Sequence, residues 1–238
     1  MDALKAARVA VFGIGGVGGY AAEALARSGV GAIDLIDHDE VSLTNINRQI
    51  VATMSTIGQA KVDVMAQRIA DINPECRVTA RKCFFLPDTA NQIDLAAFDY
   101  IIDAVDTVTA KLLIIQSAAE VGTPVISSMG SANKLDPTAL EVADIFDTSI
   151  CPLAKIIRKE CRKRGVKNLK VVYSKEPTLQ PSQQAQDAYM ADALATDAAS
   201  RDKFGRSGIP ASTAFVPPVA GLILASEVVK DLIAKAGN

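Results

Sequence analysis

The sequence predicts an α/β fold, a Rossmann-like doubly wound and mostly parallel sheet with C-terminal strands, a crossover loop and a final helix. Three observations carry this expectation. Short Val- and Ile-rich runs alternate with stretches of helical spacing from residue 8 to about residue 130, the pattern of repeated βαβ units. The first of those runs breaks into glycines that open a helix, as in nucleotide-binding turns. Of the 238 residues, 49% are apolar and 22% charged, enough to bury the core of one large domain.

Taken in order, RVAVFG (8–13) reads as a buried strand, followed by the glycine turn and a helix through AAEALARSG that Gly29 and Gly31 end. AIDLID (32–37) is a second strand. Val62, Met65, Ile69 and Ile72 fall at helical spacing over 61–72, and Asn73-Pro74 stops that helix. A third strand is expected over 77–83, a fourth over 99–105, a helix over 109–121 and a fifth strand over 124–129. Beyond Asp136-Pro137 the pattern changes. Leu140 to Ile145 suits a sheet-edge strand, 152–164 a strongly basic helix, and 169–173 a short strand. Residues 175–212 are rich in Pro, Gln, Ser, Asp and Ala and read as a mobile crossover with a short helix near Ala185–Ala195. The prolines of FVPPVAG then suit the start of a last helix over 215–236.

The chemistry begins at Gly13-Ile14-Gly15-Gly16-Val17-Gly18. Gly13 allows the tight turn, Gly15 and Gly16 let phosphate or ribose approach the backbone, and Gly18 permits close helix–strand packing. The helix start that follows favours an anion. Asp37, 24 residues after Gly13 at the end of the second strand, can accept hydrogen bonds from ribose hydroxyls; Asp39 is a further candidate. Both features also suit NAD. The stretch Thr44-Asn45-Ile46-Asn47-Arg48-Gln49, with Lys61 thirteen residues after Arg48, separates the two ligands. An Arg and a Lys beside a nucleotide clamp a triphosphate and offset charge on departing pyrophosphate, and a dehydrogenase has no use for that pair. Asp106, just past the fourth strand, stands at the carboxyl end of the sheet, where a carboxylate can share Mg²⁺ with phosphate oxygens.

Other classes are disfavoured. No apolar run approaches the roughly 18 residues of a membrane span, and the start lacks a signal-peptide layout, so a cytoplasmic protein is expected. Cys76, Cys83, Cys151 and Cys161 form no C-x-x-C pair and His38 is the only histidine, which argues against zinc and for free thiols in a reducing compartment. The net charge is -2, so any nucleic-acid contact must be local. Residues 155–170 supply such a patch: Lys155, Arg158, Lys159, Arg162, Lys163, Arg164, Lys167 and Lys170 are opposed only by Glu160.

GIGGVG…LIDHDEVSLTNINRQ…GQAK…DAVDT resembles the ubiquitin-activating-enzyme-like (ThiF/MoeB-type) adenylyltransferases. That resemblance implies ATP as substrate with Asp37 on the ribose, Asn45 and Gln49 positioning the nucleotide, Arg48 and Lys61 on the phosphates, and Mg²⁺ at Asp106. INPECRV, SSMGSANKLDPT, VADIFDTSICPLAKIIRKECRKRG and AFVPPVAGLILASEVVKDL extend the likeness to the bacterial tRNA threonylcarbamoyladenosine dehydratases. The implied substrate is tRNA, contacted through Lys155, Arg158, Lys159, Arg162, Lys163 and Arg164. The implied assembly is a homodimer, with a cysteine desulfurase sulfur-transfer system as a further partner to be tested. One adenylation domain over 1–238 is expected, nucleotide-binding over 1–136 and serving substrate and dimerisation over 137–238. The family often donates an arginine to the neighbouring active site from a helical arm before the first strand. Here only Met1 to Ala7 precede that strand, which bears on turnover and not on the nucleotide site. Three alternatives stay open: an adenylyltransferase for a small sulfur carrier, an NAD-dependent oxidoreductase, and a nucleotide-binding protein without turnover.

Overall fold

The computed structural model describes residues 2–180, 182–184 and 211–237. It is one seven-stranded sheet between helices. The order of elements is α1 (Asp2–Ala6), β1 (Arg8–Phe12), α2 (Gly18–Arg27), β2 (Ala32–Ile36), α3 (Lys61–Ile72), β3 (Arg77–Arg81), β4 (Tyr100–Asp103), α4 (Val108–Val121), β5 (Val125–Ser128), β6 (Leu140–Asp144), α5 (Pro152–Lys163), β7 (Lys170–Ser174) and α6 (Val216–Ala236). The expected short helix near Ala185–Ala195 lies outside the described residues.

The strands lie in the order β3-β2-β1-β4-β5-β7-β6. All neighbours are parallel except β6, which runs antiparallel to β7 at the edge. Beyond β5 the chain reverses along β6, crosses through α5 and returns as β7, so both expected parts of the chain contribute to one sheet.

Side-chain alternation along the central strand explains the two layers. Val9 and Val11 point into a core shared with Leu25 of α2, Met65 and Ile69 of α3, and Leu224 and Val228 of α6. Ala10 and Phe12 point the other way, towards Phe85, Phe98 and Ile114 of α4. A third cluster joins α4 to α5 and β7 through Ile115, Ile157, Cys161 and Val171. Strands buried on both faces read as nearly continuous apolar runs, which is why β1 and β2 are legible in the sequence, the one acid of β2 aside.

Asp34, 1% exposed within β2, would be costly to bury without partners. Arg8 forks it through Nε at 2.8 Å and Nη2 at 2.9 Å, and Arg81 adds a contact at 3.3 Å. The hydrogen bond to Asp34 raises the Arg8 pKa. Arg8 is thereby committed to the sheet. Cys76, Cys83, Cys151 and Cys161 are free thiols, and no described helix is long and apolar enough to cross a membrane.

Candidate active site

The chain leaves β1 to build β2 and β3 on one side, then crosses to β4 and β5 on the other. At that switch the loops after β1 and β4 diverge and leave a crevice, the place where open α/β sheets bind ligands. A cleft of about 430 Å³ occupies it, bounded by Gly13, Gly15, Gly16, Asp37, Asp39, Asn45, Arg48, Gln49, Lys61 and Asp106. Residues far apart in the sequence thus meet around one cavity.

Gly13 adopts φ +87, and a Cβ there would lie 2.7 Å from the Ala104 carbonyl oxygen; only glycine accepts both conditions cheaply. Gly18 differs from the other named glycines, since it does not line the cleft. It is buried in the first turn of α2, where an added Cβ would run into the Gly13 carbonyl. Its place is packing beneath the turn, the close helix–strand contact expected of the third glycine.

Asp37 holds the turn to the end of β2. One carboxylate oxygen accepts the Ile14 N–H at 2.6 Å and the other the Asp39 N–H at 2.8 Å. Burial pushes its pKa up, opposed by Lys61 and by these two N–H groups. Each oxygen retains a lone pair for a further donor. Lys61, the first residue of α3, is 6% exposed in its side chain, with Nζ 2.8 Å from Asp39 Oδ2. Asp39 therefore neutralises Lys61, and a phosphate arriving at Nζ would share or replace that partner.

Ser42 and Asn45 form a capping box around the short 3-10 turn Leu43–Asn45, with the Ser42 N–H donating to Asn45 Oδ1 at 3.1 Å. The Asn45 oxygen is thus engaged in shaping the loop that presents Arg48. The Arg48 Nη1 donates to the Thr44 carbonyl and to Asn47 Oδ1, each at 2.9 Å. Burial lowers its pKa while the charge of Asp106 raises it. Gln49 is 8% exposed. Among the described residues its Oε1 is a buried side-chain oxygen with no hydrogen-bond partner.

Asn133, next to Ala132 of the cleft wall, sits at φ +57. Its N–H donates to the Ala211 carbonyl at 2.6 Å, its Oδ1 accepts the Ala211 N–H at 2.7 Å, and its own carbonyl accepts the Leu179 N–H at 2.9 Å. Asn47, beside Arg48, donates to the Ser212 carbonyl at 2.8 Å. Leu179, Ala211 and Ser212 are therefore held by Asn133 and by Asn47, the residue before Arg48.

Sequence reasoning missed several walls of the cleft: His38, Cys83, Phe84 and Phe85 on one side, and Ser128 to Ala132 with Leu153 on the other. His38 meets the Phe84 ring edge-on, centroids 4.2 Å apart. No motif marks the Cys83–Phe85 stretch. SSMGSAN signals family likeness but not a place in the cleft.

The six basic residues assigned to RNA are not equivalent. Arg158 donates to the Thr148 carbonyl at 2.6 Å and to its hydroxyl at 2.7 Å, bracing the start of α5. Lys163 and Arg164 both pair with Glu160, whose carboxyl they hold down at a pKa of about 2. Arg162 lies over the Phe146 ring, 5.4 Å from its centroid. Lys155 and Lys159 are exposed on α5, as is Lys167 beyond it. The patch expected from sequence is real as a run of charge, but only part of it faces solvent without an acidic partner.

The glycine turn, the acid ending β2 and the Arg/Lys/Asp set around one crevice define a nucleotide-binding α/β protein, and the chain belongs to the ThiF family, whose model spans residues 1–238. Within that family its similarity runs to tRNA threonylcarbamoyladenosine dehydratases. The enzyme of that name from Bacillus subtilis is 46% identical over 234 residues, 98% of this chain and 89% of the relative. The one from Escherichia coli is 38% identical over 240 residues, covering 98% and 88%. The crystal structure of the Escherichia coli tRNA N6-threonylcarbamoyladenosine dehydratase in complex with ATP superposes with a TM-score of 0.83 at 34% identity, over 99% of this chain and 89% of that one.

Proposed function

We propose that this chain is an ATP-dependent tRNA threonylcarbamoyladenosine dehydratase, which activates the threonyl carboxylate of the modified nucleoside and closes it into a ring. The observation that carries the reading is likeness to dehydratases along 98% of the chain, through β6, α5, β7 and α6 as well as the nucleotide half. An adenylation domain shared only in its ATP residues would not require the second half to match.

The site chemistry follows from charge. ATP lies with its ribose at Asp37 and its phosphates over the turn at Gly13, Gly15 and Gly16. A carboxylate oxygen of the substrate attacks the α-phosphorus, the bond to the bridging oxygen breaks, and pyrophosphate leaves. Arg48 and Lys61 offset the charge that develops on the departing oxygens. The carbamoyl nitrogen then attacks the acyl carbon, gives up its proton and displaces AMP. The net change in the nucleoside is loss of water. Asp106 is an exposed hard-oxygen donor at the cleft, a donor suited to Mg²⁺ that keeps most of its waters. When bound there, Mg²⁺ supplies charge neutralisation on the phosphates. A homodimer, a cysteine desulfurase partner and a cytoplasmic setting belong to the same proposal.

Nucleoside mass analysis of threonylcarbamoyladenosine-containing tRNA, after incubation with ATP–Mg²⁺ and the protein, tests this reading. The expected product is lighter by one water, with AMP and pyrophosphate formed in equal amounts. Unchanged nucleosides, together with adenylation of a Gly-Gly-ended carrier, would transfer the chain to the sulfur-carrier activators.

A further inference from the structure

Beneath the loop that carries Asp106 lies an ion pair shut off from water. Lys111, in the first turn of α4, and Asp103, the last residue of β4, are both 0% exposed. Lys111 Nζ stands 2.8 Å from Asp103 Oδ2. The ammonium also donates to the Ser127 hydroxyl at 3.2 Å and to the Ser128 carbonyl at 2.9 Å. Ser127 donates in turn to Asp103 Oδ2 at 2.5 Å. The other oxygen of Asp103 accepts the N–H of Val105 at 3.3 Å, the residue before Asp106.

A lysine here is unfavourable on two counts. It is stripped of water, and it sits near the positive end of the α4 dipole. Two well-packed apolar residues could hold the fold as well. They could not join three backbones at one point. The pair ties the entry of the Asp106 loop at Val105, its exit at the first turn of α4, and the end of β5, from which Met129 and Gly130 enter the cleft wall. The side chain at Asp106 is exposed, and the backbone on either side sets where it leaves the loop.

We infer that Asp103 and Lys111 are positioning residues that hold Asp106 at the place where a metal-bound phosphate must lie. This rests on the proposed role of Asp106. A variant with both charges removed, Asp103→Asn with Lys111→Met, avoids a lone buried charge and should retain the fold. Calorimetric titration of ATP into the full chain, with Mg²⁺ varied and with EDTA, reads the metal linkage without turnover. The double variant should melt near the parent and bind ATP in EDTA as the parent does. It should need about 10-fold more Mg²⁺ for half its metal-linked gain in ATP affinity, and pyrophosphate release should fall about 10–100-fold, the scale seen when groups orienting a metal ligand are lost. In an Asp106→Asn background the same two substitutions should change Mg²⁺ linkage no further, because coupled residues fail to add. A parent-like Mg²⁺ midpoint and turnover in the double variant would overturn the inference, as would an undiminished further loss in the Asp106→Asn background. If Asp106→Asn alone leaves the Mg²⁺ linkage intact, the metal role of Asp106 falls, and this inference with it. If no variant melts near the parent, the conservative Lys111→Arg keeps the test open, and it too should shift the Mg²⁺ midpoint.

Discussion

At the cleft, Lys61 keeps all but 6% of its side chain out of water and meets Asp39 at 2.8 Å, whereas on α5 the side chains of Lys155 and Lys159 extend into solvent. Both regions concentrate positive charge on a chain whose net charge is -2, yet they do so by opposite means. In the cleft, backbone hydrogen bonds, a capping box and the first turn of α3 fix each charge before a ligand arrives. On α5 the cations sit on a solvated face and are screened by salt and by Glu160. A preorganised charge in a low-dielectric crevice acts strongly on a transition state. An exposed charge adds attraction to a polyanion in small, nearly equal and salt-dependent steps. The two regions should therefore fail differently when they are mutated.

The largest effect is expected in the cleft. Arg48→Ala, Lys61→Ala and Asp106→Ala should each lose on the order of 10²–10³ in turnover, the scale of one preorganised electrostatic contact. ATP affinity measured in EDTA should fall much less, because the charge that Arg48 and Lys61 meet develops as pyrophosphate leaves and Asp106 would act through Mg²⁺. Pyrophosphate release with threonylcarbamoyladenosine-containing tRNA and ATP calorimetry measure the two sides. If affinity and turnover fell together in all three variants, these residues would bind the ground state and the contrast with α5 would weaken.

A smaller loss is expected at Asp37, and in affinity first. One or two charge-assisted hydrogen bonds to ribose, each worth about 1.5–3 kcal/mol, would go in Asp37→Ala. That corresponds to at least a tenfold rise in Kd. The substitution also frees the Ile14 and Asp39 N–H groups, so Asp37→Asn serves as the companion, since its amide oxygen can still accept one of them. ATP binding that is unchanged in both variants would remove Asp37 from the nucleotide site.

Much of this division is legible in the sequence. Short, mostly apolar runs mark β1, β2 and β4, and helical spacing places α3 at 61–72, because local burial pattern and final burial coincide there. The cleft residues Asp37, Arg48, Lys61 and Asp106 are legible because the glycine turn orders everything after it. Less legible is what depends on distant partners. The wall at Cys83–Phe85 comes from chain leaving the edge strand β3. Asp103 and Lys111 are only eight residues apart, but their complete burial and the shared contacts to Ser127 and Ser128 depend on the neighbouring strand β5. The commitment of Arg158 to Thr148 is a contact across a turn. Glu160 and its partners Lys163 and Arg164 lie at i,i+3 and i,i+4 spacing, a helical relation that the sequence does contain and that a simple count of basic residues passes over.

The solvated region should respond in graded fashion. Charge reversal of Lys155, Lys159 and Arg162 to Glu should weaken tRNA binding and flatten its salt dependence, by about 0.7–0.9 in log–log slope for each phosphate left without its cation. ATP binding should be untouched. Filter binding at several salt concentrations decides this. Superimposable curves for parent and variant would take α5 off the RNA surface, and the comparison would then be between a site and a merely soluble helix.

The smallest expected effect is the sharpest test of what α5 does, because it predicts a gain. Glu160 is the acid that occupies Lys163 and Arg164. Glu160→Gln keeps the side chain's shape and removes its charge. Exposed ion pairs of this kind contribute little to stability, so the melting temperature should hardly move. The two freed cations should then be available to phosphate. If they face RNA, the salt slope should steepen by about 0.7–0.9 for each further phosphate neutralised, and affinity at low salt should rise several-fold. A purely structural account of α5 predicts the opposite sign or nothing: a small loss of stability with no change in tRNA affinity. Tighter tRNA binding by Glu160→Gln, with ATP affinity and melting temperature held, would therefore show that α5 acts through its summed, adjustable charge; unchanged binding would show that Lys163 and Arg164 do not face the RNA.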